Sequence, residues 1–393
     1  MKKLGREISI IGVGMHKFGK FLDKNLKELT RVAVWHAIHD AGIDAKLIEV
    51  AYFANVLAGV ITGQEGIRGH VFLRDAGFQG IPIVNVEGAC ASGTIALREA
   101  VFAVATGLYD VALAVGAEKL YLDNTPRSIQ AMSANTDVEL MGGLGFQFTG
   151  SYAMSLRKYM KEFGWTREHF ARVASKNKYN GSLNPYAQYQ KVMSVEEILN
   201  SRLIAWPLTL YMCSTMADGA AAAIVCAAEV ANKISTNRPI AVAASCLRSG
   251  EVTEGDDGQR HVARDAYQMA GVGPEDIEIA EVHDAMAPGE MFRIEKLGFC
   301  RTEEVGRLVD EGQFTLSGKL PVNPSGGLTA RGHPIGATGL AQIAELVWQM
   351  RGEAGRRQVK GRNSLYPLVG LAQNSGGYLE GSPAAVTVTI LKR

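Results

Sequence analysis

Short apolar runs alternate with longer segments of helical periodicity along this chain. The clearest runs lie at residues 8–13, 81–86, 239–244 and 279–282, and each predicts a buried β-strand. The run at 81–86 leads through a turn of small residues into a helical pattern that begins near Gly93. Strands and helices that alternate in this way build a mixed or parallel sheet covered by helices, so the pattern predicts the α/β class.

One pattern occurs twice. A helix end, a glycine, a short turn and a strand follow one another at residues 37–53 and again at 266–282. The two copies share one register, which pairs Gly42 with Gly271, Ile48 with Ile277 and Ala51 with Ala280. This repeat predicts two related halves, 1–236 and 237–393. The less regular region at about 118–236 is interpreted as a loop lobe inserted into the first half.

Composition and charge narrow the function classes. The 393 residues are 47% hydrophobic and 21% charged, which is typical of a globular protein, and the formal net charge is +1. A net charge this close to zero gives no overall positive potential that would attract nucleic acid. No segment has the roughly 18 uninterrupted apolar residues of a membrane span. Five cysteines without C-x-x-C spacing indicate reduced thiols in the cytoplasm and no metal site.

Cys90 is the first candidate for chemistry. It lies between a predicted strand and a predicted helix, so its thiol is expected at a helix N-terminus, where the thiolate is favoured. Small neighbours leave room beside the sulfur, namely Gly88, Ala89, Ala91, Ser92 and Gly93. A nucleophile that accepts an acyl group fits this setting. A small buried residue in an Ala/Gly-rich core is the alternative.

Two histidines lie on turns in the second half. His283 follows the strand predicted at 279–282, at the carboxyl end where open α/β sheets bind ligands. His333 lies in the glycine-dense loop 322–339, which leads into a helix predicted over 339–351. A thiol and two imidazoles are together the parts for acyl transfer: a nucleophile, a proton carrier and an oxyanion donor.

Four strings resemble the catalytic loops of the thiolase superfamily, in the family's order and spacing. They are Gly-Ala-Cys90-Ala-Ser-Gly, His283-Asp-Ala-Met, Gly-His333-Pro-Ile-Gly-Ala-Thr-Gly and Asn374-Ser-Gly-Gly. The resemblance covers essentially the whole chain. It implies a thiolase-like fold with two duplicated mixed-sheet βα halves in five layers (α-β-α-β-α). The His-Asp form is similar to sterol-carrier-type and bacterial lipid-transfer-like thiolases.

The resemblance also implies roles for individual residues. Cys90 would take the acyl group, and His333 would remove its proton. His283 would face the thioester oxygen in an oxyanion hole, and the backbone N–H groups of Cys90 and Gly376 would form a second one. Ser214 matches a serine that contacts pantetheine.

One departure from the family concerns acid–base chemistry. The second cysteine of ordinary thiolases aligns with Asn374, and the cysteine that sterol-carrier-type enzymes carry after His-Asp is here Ala285. Neither replacement accepts a proton at neutral pH. Acid–base catalysis is then carried out by His283, by His333 or by a water, or the reaction differs from ordinary Claisen chemistry.

The implied function is a coenzyme A-dependent acyltransferase that cleaves, or in reverse forms, a 3-oxoacyl-CoA through an acyl-Cys90 intermediate. Coenzyme A is a co-substrate, and no cofactor is bound permanently. A bulky or aromatic substrate such as a benzoylsuccinyl-type CoA ester is one candidate. Retro-aldol cleavage of a side-chain thioester, acyl transfer to another acceptor, and a non-catalytic carrier of CoA esters or scaffold subunit remain alternatives.

The lobe and the partners complete these expectations. The basic run 157–191 is either a solvated helix face or a face for the nucleotide phosphates of coenzyme A, with Arg157, Lys158 and Lys161 as candidate contacts. Segments 121–150 and 207–216 either line an acyl pocket or pack in the core. The resemblance implies a homodimer and a separate small partner with a zinc ribbon and an oligonucleotide-fold (OB-fold) barrel.

Overall fold

A computed structural model gives the fold and describes residues 5–251 and 258–393. The strands are β1 (Ile8–Met15), β2 (Val50–Ala54), β3 (Ile83–Val86), β4 (Val111–Glu118), β5 (Leu203–Ala205), β6 (Leu208–Thr209), β7 (Gly219–Ala227), β8 (Ile240–Arg248), β9 (Ile279–Glu281), β10 (Val369–Gly376) and β11 (Ala385–Lys392). Within those described ranges, no helix is both long and apolar enough to cross a bilayer.

The α-helices fall into three groups along the chain. Before the lobe are α1 (Leu26–Ala41), α2 (Ala58–Thr62), α3 (Arg68–Asp75) and α4 (Ser92–Ala105). Between β4 and β8 are α5 (Thr125–Met132), α6 (Val138–Met141), α7 (Phe148–Phe163), α8 (Arg167–Ser182), α9 (Val195–Leu199) and α10 (Ala228–Ile234). The remainder are α11 (Gln259–Ala270), α12 (Pro288–Lys296), α13 (Val305–Asp310), α14 (Gly327–Arg331) and α15 (Thr338–Arg351).

Nine strands form one mixed sheet in the order β3-β2-β4-β7-β1-β8-β11-β10-β9. Strand β2 is parallel to β3 and β4, and β9 is parallel to β10, whereas the other pairs are antiparallel. Strands β1 and β8 join the two parts of the sheet through only two residue pairs, Ser9 with Ala241 and Ile10 with Ile240. The sheet is therefore continuous but narrow at its centre.

Three apolar clusters separate the layers. Helices α1 and α3 cover the outer face of β2, β4 and β7, and α11 and α12 cover the outer face of the part formed by β8, β11 and β10. Between the two parts of the sheet lie α4 and α15, which contact strands of both. This order of layers confirms the predicted five-layer α/β fold.

The repeat seen in the sequence adopts one structure twice. Helices α1 and α11 both end at a glycine in the left-handed conformation, Gly42 with φ 65° and Gly271 with φ 64°. Each glycine is followed by a 3₁₀ turn and then by β2 or β9. Glycine adopts this conformation without strain, which explains why both copies keep it.

The lobe is shorter than the sequence indicates. Strand β7 and helix α10 fall within the predicted lobe 118–236, yet β7 lies inside the sheet between β4 and β1. The excursion from the sheet therefore comprises residues 119–218. Strand β7 follows this excursion and is rich in alanine. Polar and apolar residues do not alternate along it, because both of its faces are buried. The boundary between halves at 236/237 stays a prediction.

Candidate active site

Cys90 lies in a 3₁₀ turn, Ala89–Ala91, that connects β3 to α4. Ala89 has φ 48°, a left-handed conformation that residues other than glycine rarely adopt. Ser92 holds the turn, since its hydroxyl donates to the Ala89 carbonyl at 2.6 Å and accepts from the Gly88 N–H at 2.9 Å. The thiol is thus fixed at the start of a helix, as predicted from the sequence.

His333 contacts the thiol directly. Its Nε2 lies 3.3 Å from Cys90 Sγ, and its Nδ1 lies 2.7 Å from Thr338 Oγ1. The Thr338 hydroxyl donates its proton to the Pro334 carbonyl, so its oxygen accepts from the ring and Nδ1 carries the hydrogen. In the neutral ring Nε2 then has a free lone pair, and it can accept the proton of the thiol.

A relay of amides orients His283. The Gln342 amide nitrogen donates to the Gln373 carbonyl at 3.1 Å, so the Gln342 oxygen accepts from Asn374 Nδ2, also at 3.1 Å. This leaves Asn374 Oδ1 facing His283 Nδ1 at 2.8 Å. The ring nitrogen must donate to that oxygen, which leaves His283 Nε2 without a proton. The oxyanion role predicted for His283 therefore requires that Nε2 first be protonated, whereas a role as proton acceptor does not.

The three groups meet at one point. The ring centroids of His283 and His333 are 5.3 Å apart, and one nitrogen of each ring lies within 4.8 Å of the other and of Cys90 Sγ. The sequence thus identified three side chains that the fold brings together from distant segments. One thiol and two imidazoles are also a donor set that zinc accepts. The expectation that the protein holds no metal stays a prediction.

Burial dominates the electrostatics of the site. It raises the pKa of Cys90 to about 12, with a further contribution from the Glu118 carboxylate. Burial, and then the positive charge of Arg331, lowers the pKa of His333 to about 3. The pKa of His283 also lies well below its ordinary value, through burial and the neighbouring His333 and Arg293. Desolvation thus shifts the pKa values of the thiol and of both rings towards the neutral forms, which is opposite to the thiolate expected from the helix N-terminus.

Backbone amides also approach the sulfur. The N–H groups of Cys90 and Gly377 lie near it and favour its ionised form. The role expected of Gly376, a backbone donor to the oxyanion, stays a prediction. Gly376 abuts the Cys90 turn, where a Cβ atom would lie 2.1 Å from the Gly88 carbonyl oxygen. The second glycine of the Asn-Ser-Gly-Gly string was the signal for Gly377.

Helix α4, which follows Cys90, is in backbone contact with the segment that follows His333 and leads into α15. A Cβ atom on Gly93 of α4 would lie 2.9 Å from the Gly336 carbonyl oxygen, and one on Gly339 of α15 would lie 2.7 Å from the Thr94 nitrogen. No side chain fits between these segments. The distance between Cys90 and His333 is therefore set by backbone packing.

A buried ion pair ties the two histidine loops together. Glu281 ends β9 two residues before His283, and Arg331 ends α14 two residues before His333. Their carboxylate and guanidinium lie 3.2 Å apart, and the Ser325 hydroxyl also contacts both groups. This ion pair links the segments that carry His283 and His333, and it thereby fixes the position of one ring relative to the other.

A cavity of about 400 Å³ opens beside Cys90, His283 and His333, and the lobe covers it. Its apolar wall consists of aromatic and sulfur-containing side chains, namely Met132, Phe148, Tyr152, Tyr159, Met286, Phe292 and Tyr378. Ser214 and Ala285 also line it. Segment 121–150 thus contributes to the wall, whereas 207–216 contributes Ser214 and otherwise packs Leu208 and Met212 in the core.

The basic residues around the cavity differ from those expected. Lys158 lines the cavity, but Arg157 and Lys161 are exposed and do not, and Arg157 lies over the Trp206 ring. Arg293 and Lys296 on α12 line it and were missed. Their spacing of three residues on the helix after the His283 string was the available signal.

Comparisons with known proteins agree over the full length. The family described as "Thiolase, N-terminal domain" matches residues 8–229, and "Thiolase C-terminal domain-like" matches residues 246–392. An acetyl-CoA acetyltransferase of Methanothermobacter thermautotrophicus is 41% identical over 98% of this chain and 99% of that protein. Benzoylsuccinyl-CoA thiolase subunit BbsB of Thauera aromatica is 39% identical, over 95% and 96%. Sterol carrier protein 2 of Bos taurus is 35% identical, over 99% and 73%.

Solved structures share the fold. The complex called Ltp2-ChsH2(DUF35) aldolase superposes with a TM-score of 0.79 at 24% identity, covering 98% of this chain and 97% of that chain. Human mitochondrial 3-ketoacyl-CoA thiolase gives 0.73 at 16% identity, covering 99% of each. With these relatives the protein is a coenzyme A-dependent acyltransferase. The chain belongs to the thiolase superfamily, in its sterol-carrier-type subfamily.

Proposed function

We propose that the enzyme cleaves a 3-oxoacyl-CoA by thiolysis through an acyl-Cys90 intermediate. His333 Nε2 takes the thiol proton as Cys90 Sγ attacks the keto carbon. The C–C bond then breaks, the released α-carbon takes that proton back, and a shorter acyl-CoA leaves. The observation that carries this proposal is the 3.3 Å contact between Cys90 Sγ and the unprotonated Nε2 of His333.

His283 would serve the second half-reaction in place of the missing cysteine. Its Nε2 would take the proton of the coenzyme A thiol, whose sulfur attacks the acyl-Cys90 carbonyl. Cys90 leaves as a thiolate and recovers a proton from the ring. The hydrogen bond from Nδ1 to Asn374 Oδ1 supports this role, because it leaves Nε2 able to accept. The N–H groups of Cys90, Gly376 and Gly377 are the candidate donors to the oxyanions.

Replacement of the nucleophile tests this mechanism. We expect Cys90→Ala to abolish thiolysis and to remove the acyl adduct that mass spectrometry detects after incubation with substrate in the absence of coenzyme A. Cys300→Ala is the matched control, since Cys300 is another partly exposed free thiol. Thiolysis that persists in Cys90→Ala would overturn the proposal.

The acyl group is proposed to be bulky or aromatic, with a benzoylsuccinyl-type CoA ester as the leading candidate. The aromatic side chains that line the cavity support it, since they can pack against a flat ring. The name of the Thauera aromatica relative supports it as well. Acetoacetyl-CoA is the competitor that the Methanothermobacter relative suggests. Relative kcat/KM values for the two substrates in one preparation decide between them.

A retro-aldol reaction is the second candidate. Asn374 in place of the usual second cysteine favours it, and so does the structural likeness to a complex that is named an aldolase, Ltp2-ChsH2(DUF35). Thiolysis consumes one thiol for each substrate cleaved, whereas retro-aldol cleavage consumes none. Thiol titration with product analysis, with and without free coenzyme A, distinguishes the two reactions.

Coenzyme A would enter past Ser214 and Lys158, both of which line the cavity. Lys158→Met should raise the KM for coenzyme A more than it lowers kcat, because a phosphate contact acts in binding. Arg157→Met and Lys161→Met test the two residues that lie off the cavity wall. An equal effect of all three substitutions would indicate a general field and not a contact.

A homodimer is proposed through β3. This strand ends the sheet, and its outer edge has no partner strand within the described residues, while Val84 on it is 43% exposed. Pairing with a second copy would satisfy these backbone groups. Light scattering should give twice the chain mass, and Val84→Lys should reduce it. A wild-type protein that stays monomeric at micromolar concentration contradicts this proposal.

A small partner with a zinc ribbon and an OB-fold barrel is proposed as a second polypeptide in the cytoplasm. Two names support it: the Thauera relative is called a subunit, and the Ltp2 structure includes a second component, ChsH2(DUF35). Affinity purification from the native source, followed by mass spectrometry and zinc analysis, tests this expectation. Isolation of one polypeptide alone contradicts it.

A further inference from the structure

Arg293 is a buried cation in the wall of the active-site cavity. It lies on α12, lines the cavity and is only 6% exposed. Its Nε has no hydrogen-bond partner, and the guanidinium forms no ion pair with any carboxylate in the described part of the chain. A charge removed from water without a partner is costly, so this arrangement requires an explanation.

The other deeply buried arginines are paired. Arg331 lies 3.2 Å from the Glu281 carboxylate, and Arg357 lies 2.9 Å from Glu345. Lys178 is buried without a carboxylate partner, but burial lowers its pKa to about 8, so it can lose its charge. An arginine cannot do so, because its guanidinium stays protonated in proteins. Arg293 therefore keeps a positive charge that these residues leave unbalanced.

The neighbours of Arg293 show that its positive charge lies close to the catalytic residues. The Tyr152 phenol interacts with the guanidinium, and the same positive charge helps to lower the pKa of His283. Tyr152 does not supply the missing negative charge, since burial raises the pKa of its phenol above the ordinary value. An anion that enters the cavity would meet the guanidinium within reach of the catalytic rings.

We propose that Arg293 binds a carboxylate of the acyl portion, so that the preferred substrate is a 3-oxoacyl-CoA that carries one free carboxylate in addition to its thioester. This inference rests on the proposed thiolase reaction. Guanidinium and carboxylate match as a planar pair with two hydrogen bonds, and the exclusion of water strengthens that pair. The phosphates of coenzyme A are not the intended anions, because the pantetheine arm separates them from the thioester.

The aromatic wall and the guanidinium together define the shape of the acyl group. Phe148, Tyr159 and Phe292 line the same cavity as Arg293. A substrate with a bulky apolar part on one side of the keto group and a carboxylate on the other side satisfies both features. A carboxylate at the end of the oxoacyl chain satisfies the guanidinium alone.

Binding tests the subsite separately from catalysis. The probes are succinyl-CoA and butyryl-CoA, which have acyl groups of the same length with and without a carboxylate, and the protein is full-length Cys90→Ala, which cannot be acylated. We expect succinyl-CoA to bind at least tenfold more tightly by calorimetry, and Arg293→Met in the same background to remove that preference. Arg293→Lys should retain part of it. Arg301→Met, which removes an exposed charge, is the control.

Turnover completes the test. Wild-type kcat/KM for 3-oxoadipyl-CoA should exceed that for 3-oxohexanoyl-CoA at least tenfold, and the ratio should approach one in Arg293→Met. Cleavage of both esters without preference, together with equal binding of the two probes, overturns the subsite and leaves the thiolase mechanism intact. A binding preference without cleavage of any 3-oxoacyl-CoA overturns the mechanism and leaves the subsite.

Discussion

The side-chain oxygen of Asn374 accepts a hydrogen bond of 2.8 Å from Nδ1 of His283, and the backbone carbonyl of Gln373 sets its direction through Gln342. The resemblance of the Asn-Ser-Gly-Gly string aligns Asn374 with the second cysteine of ordinary thiolases. The residue that replaces the missing acid–base group therefore orients the group proposed to take over its work. An asparagine at position 374 cannot act as the expected acid–base group, but it fixes the tautomer of His283.

Substitution of Asn374 tests this relationship. Asn374→Leu removes the acceptor, so we expect kcat to fall by roughly 10- to 100-fold with little change in KM, since the ring loses its orientation. Asn374→Asp keeps an acceptor and adds a negative charge, which raises the pKa of His283. The acid limb of the pH–rate profile should move to higher pH in Asn374→Asp. An unchanged profile in that variant would show that His283 does not carry the proton.

The acidity of Cys90 can be measured by alkylation. Burial raises its pKa to about 12, so the thiolate fraction should grow about tenfold per pH unit through pH 10. The rate of iodoacetamide labelling at Cys90, followed by peptide mass spectrometry, should rise without a plateau near pH 8.5. Cys90→Ser supplies the background from the other thiols. A plateau below pH 8 would indicate a preformed thiolate.

The acid limit of activity should lie unusually low. The bases must be neutral, and burial lowers the pKa of His333 to about 3 and that of His283 well below 6.5. Their accepting forms therefore persist as the pH falls, and activity is lost only on passing through these lowered values. We expect kcat/KM to stay nearly constant from pH 8 down to pH 6, measured in short assays that precede acid unfolding. A midpoint at pH 6.5 would contradict the burial of these rings.

The ion pair below the histidines should matter for stability. Glu281→Gln leaves Arg331 buried without its partner, so we expect the free energy of unfolding to fall by about 3–5 kcal/mol. The exposed pair Arg307–Glu311 is the control, and Glu311→Gln should cost less than about 1 kcal/mol. Urea denaturation followed by circular dichroism measures both. Equal effects would mean that the buried pair is not a structural tie.

The contact between α4 and α15 should be intolerant of a methyl group. Gly339→Ala would place Cβ 2.7 Å from the Thr94 nitrogen, which forces the two backbones apart. We expect at least a tenfold loss of kcat, because Cys90 and His333 then separate. Gly150→Ala is the control, since a Cβ there meets nothing within 4 Å. A Gly339→Ala enzyme with full activity would show that the site does not depend on this contact.

Local patterns predicted several of the elements but not their environment. The helix predicted over 339–351 is α15, and the strand at 279–282 is β9, because periodicity depends on each segment alone. The central position of β7 depends on pairing with β4 and β1, which an Ala-rich run does not specify. The pKa of Cys90 was predicted in the wrong direction, because burial comes from distant segments that pack around the sulfur.

The candidate site shows the same division. Motifs identified Cys90, His283 and His333, because the strings around them resemble the catalytic loops of one family in order and spacing. Arg293 escaped notice because it lies in a helix of mixed polar and apolar residues, and only the fold shows that the helix is buried and that no described carboxylate forms an ion pair with Arg293. Gly377 was not among the expected residues, because the approach of its N–H to the Cys90 sulfur depends on how β10 packs against the Cys90 turn.

The narrow junction of β1 and β8 lies between the segment that carries Cys90 and the segments that carry His283 and His333. The nucleophile and its base therefore come from opposite sides of this junction. Cys90 has no base beside it until the second half of the chain has folded against the first.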